Sequence, residues 1–121
     1  MSELKRIARK TIKFSEFSKK YFDYLTSIFN NIDDRSLTRL EAEFVNIKKK
    51  GKTVFVIGNG GGASTATTMA NDLGFDILKK TKVKKTFKIH SLTDNTSVIT
   101  AISNDTGYEN VFLNQLKIHY E

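Results

Sequence analysis

Four glycines fall within five consecutive positions, Gly58-Asn59-Gly60-Gly61-Gly62, directly after the run Thr53-Val54-Phe55-Val56-Ile57. No other feature constrains the fold as tightly. The run is apolar on both alternating faces and rich in β-branched residues, the pattern of a central parallel strand. Ala63 to Leu73 then reads as a helix. Strand, loop and helix in that order place the glycines at the carboxyl end of the strand, where open α/β sheets bind ligands. Glycine lets the backbone approach a ligand closely and take positive φ. Free N–H groups at the helix start, with the helix dipole, favour an anion. Ser64 and Thr65 add hydroxyl donors, and Asn59 offers both a donor and an acceptor. A turn serving strand–helix packing alone would need fewer glycines.

The remaining chain supports an α/β architecture. Phe14, Phe17, Tyr21, Tyr24 and Ile28 step by three and four, which predicts one helix over Ser2 to Asn30. Leu37, Leu40, Phe44 and Ile47 repeat the spacing in a second helix. Asp33, Asp34 or Ser36 can cap its start, Lys48 to Lys50 suit its end, and Gly51 suits the position after it. Beyond the glycine loop, a second strand is expected over Thr86 to Leu92. Thr93-Asp94-Asn95 caps a short helix through Ile102, Asn104 to Gly107 is a turn, and Glu109 to Tyr120 is a last helix. Strand, helix, strand, helix, helix from residue 53 on indicates parallel strands with right-handed crossovers.

Composition excludes several classes. The 121 residues are enough for one small domain, at 39% hydrophobic and 27% charged residues. No apolar run approaches the length of a transmembrane helix, so no membrane association is expected. The start of the chain alternates basic and apolar residues without an apolar h-region, which argues against a secretory signal. Cysteine is absent, ruling out disulfides and thiolate chemistry, and the cytoplasm is the expected compartment. The net charge of +7 raises nucleic acid as a partner. Its lysines, however, cluster at Lys48 to Lys50 and Lys79 to Lys88, flanking strands and helix ends, and form no aromatic-interleaved basic motif of the RNA-binding type. No nucleic-acid partner is expected.

Two phosphate-loop motifs fit poorly. A P-loop closes on Lys-Ser or Lys-Thr, which this loop lacks. Gly58, Gly60 and Ala63 meet the G-x-G-x-x-G/A dinucleotide fingerprint literally. That fingerprint expects an acid about 20 residues on, at the end of the second strand, whereas the second strand here is expected to end near Leu92 and Asp94 follows Gly58 by 36.

The stretch Val56-Ile57-Gly58-Asn59-Gly60-Gly61-Gly62-Ala63-Ser64 resembles the GNGGSAS loop of phosphoheptose isomerases, members of the sugar isomerase (SIS) domain family. The resemblance continues through Ala70-Asn71-Asp72-Leu73. It returns, more specifically, over Ser91 to Phe112 with its Asn104-Asp105-Thr106-Gly107-Tyr108 run. It implies an SIS-type three-layer α/β/α fold with a parallel sheet, preceded by two N-terminal helices. Residues 1–50 would be an oligomerisation pair and 51–121 the first part of the SIS domain, in a single-domain, truncated chain. The implied partners are a sugar phosphate and further copies of the chain, as a dimer or tetramer joined through the N-terminal helices. The implied family reaction is the aldose–ketose isomerisation of sedoheptulose 7-phosphate to a heptose 7-phosphate, used in surface-polysaccharide heptose synthesis. It requires a base to move a proton and an electrophile to polarise a carbonyl.

The resemblance names Asn59, Gly60, Gly61, Gly62, Ser64 and Asp94 as substrate contacts and Asp72 as the catalytic candidate. In the family the helix after the loop resembles H-F-A-x-E-L, whose histidine is a zinc ligand in metal-bound members. Here Thr68 stands at the histidine position and Asp72 at the glutamate position. Threonine does not replace imidazole on zinc, and Asp72 is a methylene short. No metal or other cofactor is expected, and His90 and His119 read as structural.

Overall fold

The computed structural model describes residues 2–11 and 13–119. Two compact units divide the chain, Met1–Ala42 and Glu43–Glu121.

In the first unit, α1 (Glu3–Arg9) packs on α2 (Phe14–Asn30), and α3 (Asp34–Lys50) begins. The single helix expected over Ser2 to Asn30 is thus two. Lys10 closes α1 through its N–H on the Ile7 carbonyl, and Lys13 is extended at φ −102°, ψ 136°. Thr11 Oγ1 donates to Ile7 O at 3.1 Å, drawing a helical carbonyl out of the ladder at the break. In α2 the predicted stripe stacks on itself, with Phe14–Phe17 and Phe17–Tyr21 ring centroids 6.4 and 6.1 Å apart. Of the three candidate caps for α3, Asp33 serves. Its Oδ2 accepts from Ser36 N at 2.9 Å and Ser36 Oγ at 2.8 Å. Those hydrogen bonds, the hydroxyl's first, hold the Asp33 carboxyl below the usual carboxylate range.

The second unit starts in the last turns of α3. That helix ends as the glycine predicts: Gly51 takes φ +62° and Lys52 N–H reaches back to Ile47 O at 3.0 Å. Strand β1 (Thr53–Val56) pairs in parallel with β2 (Lys88–Ser91), in the register Thr53↔Lys88 to Val56↔Ser91. Between them run α4 (Gly61–Asn71), a π-helical turn (Asp72–Asp76) and α5 (Ile77–Lys80). After β2 come α6 (Thr96–Thr106), a 3₁₀ turn (Tyr108–Asn110) and α7 (Val111–His119). The helix expected over Ala63 to Leu73 therefore starts earlier and runs on through Gly74, by widening into the π turn. The expected end of the last helix at Tyr120 lies outside the described residues.

Helices cover both faces of the sheet. α4 packs on both strands, and Gly74 of the π turn lies against Ile89 Cγ2. On the opposite face, Phe55 and its register partner His90 stack, and the His119 ring of α7 stands 5.8 Å from Phe55. This is the three-layer α/β/α arrangement expected, around a two-stranded parallel sheet. Its core is small: Ala66, Leu92 and Val111 are buried, together with one polar side chain, Gln115. Gln115 Nε2 donates to Leu92 O at 3.0 Å and Val111 O at 3.2 Å, tying α7 to the end of β2.

Candidate functional site

The glycine loop is a tight turn built by backbone alone. Gly62 N–H donates to Asn59 O at 2.9 Å, and Gly60 sits at φ 53°, ψ −123°. These are the dihedrals of the first central residue of a type II′ turn, which glycine alone adopts readily. Gly58 is required for a different reason. A Cβ there would lie 2.3 Å from both the carbonyl carbon and the oxygen of Gly62. Gly61 and Gly62 face open space, with nothing within 4 Å of an added Cβ. Strand–helix packing therefore accounts for two of the four glycines and leaves a bare surface at the other two.

That bare surface is the N-terminus of α4. Gly60 caps the helix and has no side chain to accept its N–H groups, and the first turn carries no acidic residue. The turn engages Gly62 N–H, and Ala63 N–H bonds Gly60 O at 3.0 Å. The N–H groups of Gly60 and Gly61 have no partner among the described residues. The helix start thus presents two free donors at its positive end rather than the full set expected.

A carboxylate stands next to this turn. Asp94 follows β2, and its Oδ1 accepts from Thr67 Oγ1 of α4, Ser91 Oγ at 3.0 Å and Thr93 Oγ1 at 3.3 Å. Thr93 Oγ1 also donates to Ala63 O at 3.3 Å, binding the end of β2 to the first turn of α4. The N-cap of α6 is Asn95, whose Oδ1 accepts from Val98 N at 3.1 Å, so Asp94 is free of the capping role its position suggested. On the other side of the loop, Tyr108 OH donates to Asn59 Oδ1 at 2.7 Å. Sequence reasoning missed Thr67, Ser91, Thr93 and Tyr108, since their contacts cross from one element to another.

Two hollows are lined by candidate site residues. An open groove of about 630 Å³ is lined by Ser64, Thr65, Thr68, Met69, Asp72 and Leu73. It brings Ser64 and Asp72 together with Thr68 on one face of α4. Asp72 is exposed and receives Asn71 Nδ2 at 3.3 Å. The second hollow, about 340 Å³, includes His90, Asp94, Gln115 and His119 in its walls. Asp94 therefore opens toward α7, and Asp72 away from it, along α4.

Zinc does not fit the groove. Its two relevant positions hold a hydroxyl and one short carboxylate, and both histidines stand against Phe55 on the far face of the sheet. Among the described residues no group of three or more His, Asp or Glu side chains is close enough to hold a metal ion. No helix of the described chain is long and apolar enough to cross a membrane.

Helices on both faces of a parallel sheet, with a backbone-built turn at the end of its first strand, define an α/β protein whose site lies at the strands' carboxyl ends. The chain is similar to a probable phosphoheptose isomerase from Thermoplasma volcanium, 34% identical over 87 residues, 72% of this chain and 43% of the relative. It is also 32% identical to a phosphoheptose isomerase from a Bradyrhizobium species, over 68% of this chain and 40% of the relative. A third, from Sulfurimonas denitrificans, is 34% identical over 82% of this chain and 50% of the relative. Among solved structures, the phosphoheptose isomerase of Neisseria gonorrhoeae superposes with a TM-score of 0.71 at 21% identity, over 88% of this chain and 55% of that one. No family model matches. The chain thus has the phosphoheptose isomerase-like SIS fold, and spans half or less of the length of these curated relatives.

Proposed function

We propose that this chain binds a sugar phosphate, of the sedoheptulose 7-phosphate class, at the Gly58–Gly62 turn. The uncapped start of α4 carries the reading: Gly60 and Gly61 hold out two N–H groups, without a partner among the described residues, at the positive end of a helix. The phosphate sits there, with Gly62 and the Ser64 hydroxyl beside it. Asp94, with Oδ2 left over after three hydroxyls have taken Oδ1, accepts from sugar hydroxyls, and Asn59 contacts the ligand from the turn. The names of the relatives support the ligand class.

Isomerisation by this chain does not form part of the proposal. With Thr68 and Asp72 in the α4 groove, the side chains lining it supply one candidate base and no imidazole. Asp72 is the residue for a catalytic role if turnover is found. A binding or assembly module of the same fold is the second reading. The apolar side chains that α2 and α3 leave to solvent favour it, Phe22 and Phe29 at 64% and 66% exposure and Leu40 at 55%. They suit a homo-oligomer, dimer or tetramer, assembled through the helices of residues 1–50. A cytoplasmic role in surface-polysaccharide heptose metabolism goes with the ligand, since a charged sugar phosphate does not cross a bilayer unaided.

Isothermal titration with sedoheptulose 7-phosphate, beside NAD, tests the reading. Saturable binding of the sugar phosphate alone is expected. Binding of NAD instead would replace it with a dinucleotide site. Binding of neither, with self-association in sedimentation, would favour the assembly module.

A further inference from the structure

The Asn59 amide carries both donors and an acceptor, and the fold engages the acceptor. Tyr108 OH donates to Asn59 Oδ1 at 2.7 Å, across 49 residues of chain. Asn59 Nδ2 has no intramolecular partner among the described residues. We infer that Tyr108 is a positioning residue, which holds the Asn59 amide by its oxygen so that both Nδ2 donors are left to the ligand, and so favours a ligand with an acceptor atom at that point. The inference rests on the ligand reading above and extends it to a residue outside the loop.

The path of the chain to Tyr108 is specific. α6 ends at Thr106, and Gly107, at φ +95°, turns the backbone into the 3₁₀ turn that begins with Tyr108. An L side chain is strained at that φ. Asn110 N–H closes on Gly107 O at 3.1 Å, and Asn110 Nδ2 returns to Thr106 O, so the tyrosine is held at both ends of its turn. Its ring is more than half exposed. Little packing would be lost with the hydroxyl, which makes Tyr108→Phe a clean probe. An amide free to rotate offers an acceptor as readily as a donor. An amide pinned through Oδ1 leaves both Nδ2 donors for the ligand, and a phosphoryl or carbonyl oxygen is the group they favour.

Two measurements separate this inference from the ligand reading. The first needs no ligand: the side-chain amide signals of Asn59 are compared by ¹⁵N NMR in the wild type and in Tyr108→Phe. A shift confined to Asn59 and its neighbours is expected, and unmoved signals overturn the inference. The second is titration of both proteins with sedoheptulose 7-phosphate and with inorganic phosphate. Tyr108→Phe should bind the sugar phosphate about 3- to 10-fold more weakly. A matching loss for inorganic phosphate places the phosphoryl group on Asn59, and a loss for the sugar phosphate alone places a sugar oxygen there. Unchanged affinity overturns the inference. If the amide signals move while the wild type binds neither ligand, the ligand reading has failed and the Tyr108–Asn59 link stands.

Discussion

The hydroxyl of Thr67, on α4, donates to the carboxylate of Asp94, just past β2, and joins the helix that follows the first strand to the end of the second. The hydroxyls of Ser91 and Thr93 stand against the same oxygen, and Oδ2 has no partner among the described residues. Thr67→Val removes one of three donors and leaves the fold in place, since Thr67 is exposed. Sugar-phosphate affinity should fall about threefold in that variant, and at least about tenfold in Asp94→Ala, by isothermal titration. Equal affinity in Asp94→Ala would remove Asp94 from the site.

The glycine loop separates stability from binding. Gly60→Ala forces an L residue to φ 53°, ψ −123° and should cost about 1–3 kcal/mol in chemical denaturation. Gly61→Ala meets nothing within 4 Å and should change stability by about 1 kcal/mol at most. It nevertheless puts a methyl group where the ligand is expected, so its binding should weaken while its unfolding midpoint holds.

Gln115 is the only polar residue in the described core. Replacing it with leucine keeps the volume but strands the Leu92 carbonyl, whose amide donor is lost. A destabilisation of about 1–3 kcal/mol is expected in urea. A neutral result would show that water reaches the carbonyl.

Asp33 gives α3 a pH-dependent cap. Its carboxyl is held below the usual range by Ser36, so the folded form binds its proton less readily than the unfolded chain does. The sign follows: the cap's contribution is fully present above the ordinary carboxylate range and is lost as pH falls through the lowered value. Helicity by circular dichroism should fall at acid pH in the wild type more than in Asp33→Asn, which caps without titrating. Parallel acid curves would show that Asp33 titrates unperturbed.

Local chemistry made much of this fold legible. Thr53 to Ile57, the glycines and the start of α4 could be read directly, because strand, turn and helix signals there agree. The end of α3 was equally clear from its lysines and Gly51. The break between α1 and α2 was not, since no proline or glycine stands between Lys10 and Lys13, and what marks it is the Lys10 cap, Thr11's bond to Ile7 and the extended Lys13. The helix expected to end at Leu73 instead carries Gly74 on in a π turn against Ile89. Asp94 was found for its place at the strand end, but its three hydroxyl partners and the Tyr108–Asn59 pair depend on how distant elements come together, which no local pattern encodes.

The closure of the turn by Gly58 against Gly62 bears on the timing of recognition. Because that contact is backbone on backbone, the seat proposed for an anion takes shape as the chain folds. The entropy of ordering the loop is then charged to folding, and little is left to lose when a ligand arrives. Association should therefore resemble docking onto a finished surface, with one kinetic phase and closely matching free and bound backbones.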